Sequence, residues 1–310
     1  MRAHIIQTLP LAIATALALI PAAAHGQDMP LSQVLIDGET WQLVSEGHGF
    51  TDACAADDQG NFYFSDVRGG QGIYKVDPQG EVTLWIDGLP GISGMQIGPG
   101  GRVFACQGRE QRLISIAPGE EPKVLASRVR PNDLVVTGAG GVYFTHTSAK
   151  TIEFVSPAGE HRIVHSGDLV RPNGITLSPD QGTLVVSDHG AKHVWAFRIE
   201  ADGGLSHAQP YMTLRTPNAD PSRSRGDGAT TDAYGRYYIT SAVGIQMYDP
   251  TGRLGGVIAK PQPTVVSVAF GGPDLGYLYV AAGDKIYRRK TRSRGLLFQS
   301  GPVPTMSYKP

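Results

Sequence analysis

The chain has 310 residues, and its 27 basic and 28 acidic side chains give a formal net charge of −1. No basic stripe occurs apart from a short one over residues 288–294, so nucleic acid is not an expected partner. Two cysteines, Cys54 and Cys106, are too few for a disulfide framework or a four-cysteine metal site. A single bridge between them stays open, but two free thiols are favoured because spacing alone does not establish disulfide geometry.

The first predicted element is a secretory signal peptide over residues 1–26. Arg2 precedes an apolar run from Leu9 to Ile20, and small residues follow at 22–26. A membrane anchor is the alternative, but a run of about a dozen residues is well short of the roughly 20 that a spanning helix needs. We therefore expect export to the periplasm or the exterior. The remaining chain has no apolar run long enough to span a bilayer.

One pattern recurs along the rest of the chain, a turn ending in glycine followed by a short strand of aromatic and β-branched residues. Successive copies lie about 40 residues apart, with one longer interval between Gly182 and Gly235, and this spacing matches a four-stranded propeller blade. The six copies are Gly60–Asp66, Gly101–Gln107, Gly140–His146, Gly182–Asp188, Gly235–Ser241 and Gly276–Ala282. The sequence therefore predicts an all-β fold, a six-bladed β-propeller of four-stranded blades.

Further strand-like segments and turns follow most copies, for example the segment His193–Phe197 and the turn Asp77–Gly80. Helical periodicity of useful length is absent. Too little chain follows the last copy to complete a blade, so we expect Thr40–Val44 to supply its outer strand and close the ring. The propeller is assigned to residues 27–290, and a poorly ordered tail to 291–310.

The candidate site comes from the same register. About eight residues before each repeat glycine, the chain reaches the start of the innermost strand, which lines the central channel of a propeller. Every residue found there is polar, and the set is Asp52, Ser93, Asn132, Asn173, Asp227 and Ser267. We expect these side chains to converge at one mouth of the channel. Two carboxylates brought together repel, and the pKa of one of them rises unless a cation lies between them.

This convergence predicts a divalent metal site. Oxygen ligands favour Ca²⁺, Mg²⁺ or Mn²⁺ over Zn²⁺, and Ca²⁺ comes first because it tolerates irregular geometry and accepts water ligands. The plainer interpretation is that such polar residues only satisfy backbone groups around a water-filled channel. Asn173-Gly174 and Asp227-Gly228 are also ordinary turn pairs. Four acid or amide side chains in one register favour the metal site.

Five short segments, in this order across the blades, resemble the senescence marker protein/gluconolactonase/luciferin-regenerating family. They are Phe50–Asp52, Arg130–Asp133, Arg171–Gly174, Gly226–Gly228 and Val268–Gly272. The resemblance covers nearly all of the chain after the signal peptide. It implies a six-bladed propeller with a divalent cation, usually calcium, and hydrolysis of a sugar-type lactone.

The resemblance also implies roles for single residues. Asp52, Asn173 and Asp227 match the metal ligands of the family, Asn132 matches an asparagine near metal and substrate, and Arg130 matches an arginine that contacts substrate oxygens. Two positions depart from the family pattern, because Asp52 stands where glutamate is usual and His146 replaces an acidic residue after the third-blade strand.

These roles give a mechanistic hypothesis. Asp227 is expected to act as general base or to orient the attacking water, and His146 is an alternative base or else a loop histidine. Selectivity is expected in the loops Arg68–Gly72, Thr147–Thr151 and Thr216–Arg225. Phosphotriester hydrolysis on the same metal site is one alternative, and a non-catalytic exported propeller that binds a sugar or a protein is another. The partner in the favoured hypothesis is a small-molecule substrate, and oligomeric state stays open.

Overall fold

The computed structural model describes residues 29–70 and 72–306. The predicted signal peptide therefore lies outside the described residues. Within them the chain forms six antiparallel four-stranded sheets, which we number as blades 1 to 6. The predicted six-bladed propeller is confirmed.

The strands in chain order are β1 (Gln42–Ser45) of blade 6; β2 (Thr51–Ala56), β3 (Phe62–Asp66), β4 (Ile73–Val76) and β5 (Val82–Ile86) of blade 1; β6 (Ile92–Ile97), β7 (Val103–Gln107), β8 (Arg112–Ile116) and β9 (Lys123–Ser127) of blade 2; β10 (Leu134–Val136), β11 (Val142–His146), β12 (Thr151–Val155) and β13 (His161–Ser166) of blade 3; β14 (Pro172–Leu177), β15 (Thr183–Asp188), β16 (His193–Ile199) and β17 (Leu205–Thr213) of blade 4; β18 (Ala229–Thr231), β19 (Tyr237–Ser241), β20 (Gly244–Tyr248) and β21 (Leu254–Ile258) of blade 5; and β22 (Ser267–Gly271), β23 (Tyr277–Ala282) and β24 (Lys285–Lys290) of blade 6. Short 3₁₀ turns cover Leu31–Gln33, Pro99–Gly101, Pro273–Leu275 and Phe298–Ser300.

The ring closes through the pairing of β1 with β24, in which Gln42 lies opposite Arg288 and Leu43 opposite Tyr287. The outer strand of blade 6 therefore comes from the N-terminal side of the chain, as predicted. This closure ties the two ends of the propeller together by backbone hydrogen bonds and leaves blade 6 without a missing strand.

The first strand of each blade is the innermost, and these six strands contact one another around the central channel. The second strands are covered on both faces by neighbouring blades, so strands such as β3 and β19 are buried along their whole length. Apolar side chains of successive blades pack together there, as Tyr143 and Phe154 of blade 3 do with Leu177 and Val186 of blade 4. This burial on both faces explains the near-continuous aromatic and β-branched residues of the repeat.

In four of the six blades the repeated glycine has positive φ in the turn that enters the second strand. Gly60 and Gly140 have φ of 81° and 87°, in the left-handed region that glycine adopts without a steric penalty. The turn reverses the chain tightly and sets the register of the second strand against the first. The same register later fixes the position of the site residues.

The predicted poorly ordered tail is wrong for residues 291–306, which pack against the propeller. Thr291 and Ser293 are buried, and Phe298 joins the core between blades 3 and 4. The backbone is held as well, since the Val303 amide donates to the Pro179 carbonyl at 2.9 Å. The apolar run at residues 296–298 indicates that this segment packs against the protein, because apolar side chains favour burial.

The sequence predictions on cysteines and membrane spans can also be compared with the structure. Cys54 and Cys106 are free thiols, and Cys106 is fully buried. Over residues 29–70 and 72–306, no helix is long and apolar enough to cross a bilayer.

Candidate functional site

The predicted site residues lie at one end of the inner strands. Asp52 and Asn173 are the second residues of β2 and β14, and Asn132 and Asp227 lie two residues before β10 and β18. The remaining two, Ser93 and Ser267, lie in β6 and β22 at the same level. The structure therefore brings the six predicted positions to one mouth of the channel.

A repeated hydroxyl fixes the backbone at these positions. The residue five places after a repeat glycine lies near the end of the second strand, where its hydroxyl donates to a backbone carbonyl at the start of the next blade. The pairs are Ser65 to Ile92 at 2.6 Å, Thr145 to Asn173 at 2.7 Å, Ser187 to Asp227 at 2.7 Å and Thr240 to Val266 at 3.0 Å. Blades 1, 3, 4 and 5 thus each position the inner strand of the next blade.

Two of the six residues are used within the protein. The Ser93 hydroxyl donates to the Asn132 carbonyl at 2.8 Å, and the Ser267 hydroxyl accepts a hydrogen bond from the Cys54 amide at 3.1 Å. These serines join neighbouring inner strands. For them the plainer interpretation holds, in which a polar side chain only satisfies a backbone group.

The other side chains have few partners. Within residues 29–70 and 72–306, the side-chain amides of Asn132 and Asn173 and the guanidinium of Arg130 make no hydrogen bond to another side chain or to the backbone. Asn173 as a whole residue is 8% exposed, and its unpaired amide stays accessible from the channel. Buried amides are normally paired, and an unpaired one at a channel mouth indicates a ligand site.

The charges in the channel are unbalanced. Burial, and then the negative charge of Asp227, raise the pKa of Asp52 well above its usual value. Burial also raises the pKa of Asp133 to about 7, against the effect of two backbone hydrogen bonds, and the charge of Asp227 adds to the rise. The raised pKa values agree with the repulsion expected between Asp52 and Asp227, and they show that Asp133 is repelled by Asp227 as well.

Asp133 was missed by the sequence register, which selected its neighbour Asn132. Its carboxylate accepts the Leu134 amide at 2.9 Å and the Ile175 amide at 3.4 Å, so it links blades 3 and 4 below the mouth. The Arg-Pro-Asn-Asp segment could have indicated Asp133. Successive side chains point to opposite sides of a strand, so of two adjacent polar residues before an inner strand one faces the channel.

These residues fit a hard divalent cation. Among the residues that the structure describes, no three His, Cys, Asp or Glu side chains form a metal-binding cluster. A cation at the mouth would therefore use amide oxygen beside carboxylate oxygen, as calcium sites commonly do. The carboxylates of Asp52 and Asp227 and the unpaired amides of Asn132 and Asn173 supply such a donor set.

His189 was also missed, although it directly follows the repeat copy that ends at Asp188. Its Nδ1 atom lies 3.5 Å from Asp227 Oδ2. That nitrogen is buried and makes no hydrogen bond to any described residue. His189 is the histidine that the structure places beside the predicted base.

Two cavities open at the mouth. One of about 360 Å³ is lined by Asp227, His189 and Lys260, among others. The second, of about 680 Å³, is lined by Arg130 and Asn132. Two of the three predicted selectivity loops take part, since residues 147, 148 and 150 line the second cavity and residues 223 and 225 the first, whereas no described residue of the loop Arg68–Gly72 lines either cavity. Residues 296–299 line the opposite end of the channel, which leaves the mouth as its open end.

Residues 45–284 match the SMP-30/gluconolactonase/LRE-like family model. The chain belongs to this family. Among sequence relatives of this SMP-30/gluconolactonase protein, a gluconolactonase from Zymomonas mobilis is 25% identical over 233 residues, which is 66% of this chain and 65% of that protein. The match thus spans slightly less than two thirds of that relative's length. A pentonolactonase from Haloferax volcanii is 26% identical over 73% of this chain and 79% of its own.

Among solved structures, a gluconolactonase from Xanthomonas campestris superposes with a TM-score of 0.73 at 21% identity, covering 84% of this chain and 92% of that one. At this identity the likeness supports the propeller fold. The family is therefore established by the family model, and the structural likeness supports the fold.

The two departures of this chain from the family pattern have structural consequences. Asp52 Oδ1 accepts a hydrogen bond of 2.9 Å from the amide of Ala53, so one oxygen of the shorter carboxylate is partly used. His146 is engaged at both ring nitrogens, since Nδ1 lies 2.8 Å from a Glu153 carboxylate oxygen and Nε2 accepts the Arg130 amide at 3.3 Å.

His146 occupies the sixth position after a repeat glycine, and its counterparts explain its contacts. Asp66 in blade 1 accepts the amides of Gly49 and Phe50, and Asp188 in blade 4 accepts the amides of the loop before β14. In each case a side chain at the end of the second strand holds the loop that leads into the first strand. His146 does the same for the loop that carries Arg130.

Proposed function

We propose that this protein is a divalent-cation-dependent hydrolase that opens sugar-type lactone rings, with calcium as the preferred ion. The observation that carries the proposal is the convergence of Asp52, Asn173 and Asp227 at the channel mouth, where the charge of Asp227 adds to the raised pKa of Asp52 and the Asn173 amide is unpaired among the described residues. Membership of the family supports it, as do the names of two relatives, a gluconolactonase and a pentonolactonase.

The cation would be held by Asp52, Asn173 and Asp227. When bound, it would supply positive charge that stabilises the oxyanion developing on the lactone carbonyl. Asp52 would contribute the oxygen that the Ala53 amide does not use. Because the charge of Asp227 raises the pKa of both Asp52 and Asp133, a cation bound among these carboxylates would relieve their repulsion.

Arg130 and Asn132 would bind the sugar. Both line the larger cavity beside the mouth, and both side chains lack partners among the described residues. The planar guanidinium can donate to two oxygens at once, and the amide can both donate and accept. These groups would orient the lactone so that its carbonyl carbon faces Asp227.

Asp227 would orient the attacking water and accept its proton. The water oxygen adds to the carbonyl carbon, the bond from that carbon to the ring oxygen breaks, and the ring oxygen leaves as a hydroxyl with the proton. His189, 3.5 Å from Asp227 Oδ2, is placed to stabilise the carboxylate or to take the proton onward. His146 would position the Arg130 loop rather than act as a base, because its Nε2 lone pair is used by the Arg130 amide.

The predicted signal peptide places this activity outside the cytoplasm, in the periplasm or the exterior. The substrate would then be a small sugar lactone that reaches the protein from the periplasm or the exterior. Export of a tagged full chain, compared with a chain that lacks residues 1–26, tests this part of the proposal. Retention of the full chain inside the cell would refute it.

The test of the activity uses purified mature protein stripped with chelator and assayed on aldonolactones with Ca²⁺, Mg²⁺, Mn²⁺ or Zn²⁺ restored. We expect turnover to return with calcium, and to be abolished in Asp227→Ala and Asn173→Ala along with the cation-dependent rise in melting temperature. Normal turnover in either variant would refute the assigned site. Turnover of an organophosphate but no lactone would favour phosphotriester hydrolysis, and binding of metal without any turnover would favour a binding protein.

A further inference from the structure

The mouth of the channel is strongly basic. Of the 27 Lys and Arg residues in a chain of net charge −1, seven line the two mouth cavities. They are Arg109, Arg130, Lys150, Arg171, Arg223, Arg225 and Lys260, and Arg171 lines both cavities. Asp227 is the one carboxylate among the lining residues of these cavities. A charge-balanced protein thus concentrates positive charge around one opening.

The cations of the smaller cavity are largely uncompensated. Arg223 pairs with Asp220 at 3.5 Å on the exposed loop, and Lys260 donates to the Ala242 carbonyl at 2.6 Å. The guanidinium groups of Arg171 and Arg225 form no salt bridge within the described parts of the chain, although the charge of Asp220 acts on Arg225 and Asp227 lines the same cavity. Burial, and then the charge of Arg225, lower the pKa of Lys260, so Arg225 and Lys260 lie close enough to repel one another.

Such crowding is relieved by an anion. Arg and Lys side chains around a concave surface recognise phosphate, sulfonate and carboxylate groups through charge-assisted hydrogen bonds. The same cavity contains Asp227 and His189, where the lactone ring is opened in the proposed function. An anionic group bound by Arg171, Arg225 and Lys260 would therefore lie on the molecule whose lactone faces Asp227.

We propose that the substrate is an anionic sugar lactone, an aldonolactone that carries a phosphate, sulfonate or carboxylate group, and that Arg171, Arg225 and Lys260 bind that group. This inference rests on the proposed function for the reaction, but the anion site itself can be tested without turnover. The basic rim also attracts anionic substrates from solution, so association becomes sensitive to ionic strength.

The kinetic experiment compares δ-gluconolactone with its 6-phospho derivative and with a glucarolactone, in the presence of the activating cation. We expect kcat/KM to be at least about tenfold higher for an anionic lactone than for the neutral one, and the advantage to shrink as salt is added. The phospho and glucaro substrates separate a preference for phosphate from one for carboxylate. Equal kcat/KM for all three substrates would overturn the inference.

Variants locate the anion site. Arg225→Gln and Lys260→Gln are expected to reduce the anionic-to-neutral ratio of kcat/KM by about tenfold each. The matched control is Arg198→Gln, since Arg198 lies in β16 away from both cavities and pairs with Glu200. A ratio that is unchanged in Arg225→Gln and Lys260→Gln would contradict the assignment.

A binding measurement separates this inference from the proposed function. Calorimetry with 6-phosphogluconate and with gluconate needs no catalysis, and we expect the phosphorylated acid to bind at least about tenfold more tightly, with the difference lost in Arg225→Gln. If this holds but no lactone is hydrolysed, the anion site stands and the lactonase proposal fails. If gluconolactone is hydrolysed but the two acids bind equally, the lactonase proposal stands and the anion site is refuted.

Discussion

The hydroxyl of Ser187 donates a hydrogen bond of 2.7 Å to the backbone carbonyl of Asp227. Ser187 belongs to the second strand of blade 4, and Asp227 precedes the first strand of blade 5. The side chain proposed to handle the water is therefore positioned by a neighbouring blade. Ser65 makes the equivalent bond to Ile92, 2.6 Å long, between blades 1 and 2.

This pair of serines allows a matched test. Ser187→Ala and Ser65→Ala each remove one buried hydrogen bond, and each should lower the free energy of unfolding by about 1 kcal/mol. Only Ser187→Ala should also reduce kcat/KM several-fold, because Asp227 loses its backbone anchor. Denaturant titration and lactone kinetics on both variants measure the two effects. Equal activities in the two variants would contradict a positioning role for Ser187.

His189→Asn tests the histidine beside Asp227. We expect kcat to fall by about tenfold or more, because Asp227 loses the ring nitrogen 3.5 Å from Oδ2. His193→Asn is the control, since His193 is a partly exposed residue of β16 whose Nδ1 lies 3.5 Å from the Thr213 hydroxyl. Rates are compared at saturating substrate with the cation present. A variant of His189 that keeps the wild-type kcat would show that this ring does not assist the reaction.

His146→Asn separates positioning from base catalysis. Loss of the bond to the Arg130 amide should loosen the loop that carries Arg130, and we expect KM to rise several-fold with a smaller change in kcat. His161→Asn is the matched control, because His161 also contacts Glu153, at 2.6 Å, but does not touch Arg130. A large fall in kcat at unchanged KM in His146→Asn would instead indicate that His146 acts as a catalytic base.

Asp66 provides a test of stability at low pH. Burial favours a higher pKa, but hydrogen bonds from the amides of Gly49, Gly69, Phe50 and Arg68 outweigh burial and lower the pKa of Asp66 below its usual value of 3.8. A depressed pKa stabilises the folded state above pH 3.8 or so, and this contribution is lost as the pH falls through the folded-state pKa. Asp66→Asn should therefore cost about 1 to 3 kcal/mol near neutral pH and much less in acid, as measured by urea unfolding. If the difference in unfolding free energy between the wild type and Asp66→Asn stayed constant from neutral to acid pH, the stabilising role of the Asp66 carboxylate would be contradicted.

The channel carboxylates give the opposite pH dependence. The raised pKa of Asp133, about 7, and the raised pKa of Asp52 mean that the folded protein holds protons that the unfolded chain releases. Without a divalent cation, stability should therefore fall as the pH rises from the unfolded pKa near 4 through about 7. Saturating calcium should flatten this fall, and so should Asp133→Asn. A melting temperature that is independent of pH over this range in chelator would contradict the charge balance described for the channel.

Much of the fold could be predicted from the sequence because the signal is local and repeated. The glycine turn and the buried second strand recur six times, and Thr40–Val44 was correctly matched to the incomplete last blade. The same register selected Asp52, Asn132, Asn173 and Asp227, because each lies eight or nine residues before a repeat glycine. The prediction was wrong for residues 291–306. The apolar run in this segment packs against the far end of the channel, and no local sequence pattern indicates that surface.

The sequence by itself determined the propeller, its closure and the polar ends of the inner strands, because strand alternation and turn geometry act over a few residues. The tertiary structure decided which of those polar side chains are free. It showed Ser93 and Ser267 bonded between strands, His146 held by Glu153 and the Arg130 amide, and His189 placed beside Asp227. The serine and His189 contacts join different blades, and those of His146 join different segments of blade 3. In each case burial and neighbouring charges, which no local pattern shows, set what the group can do.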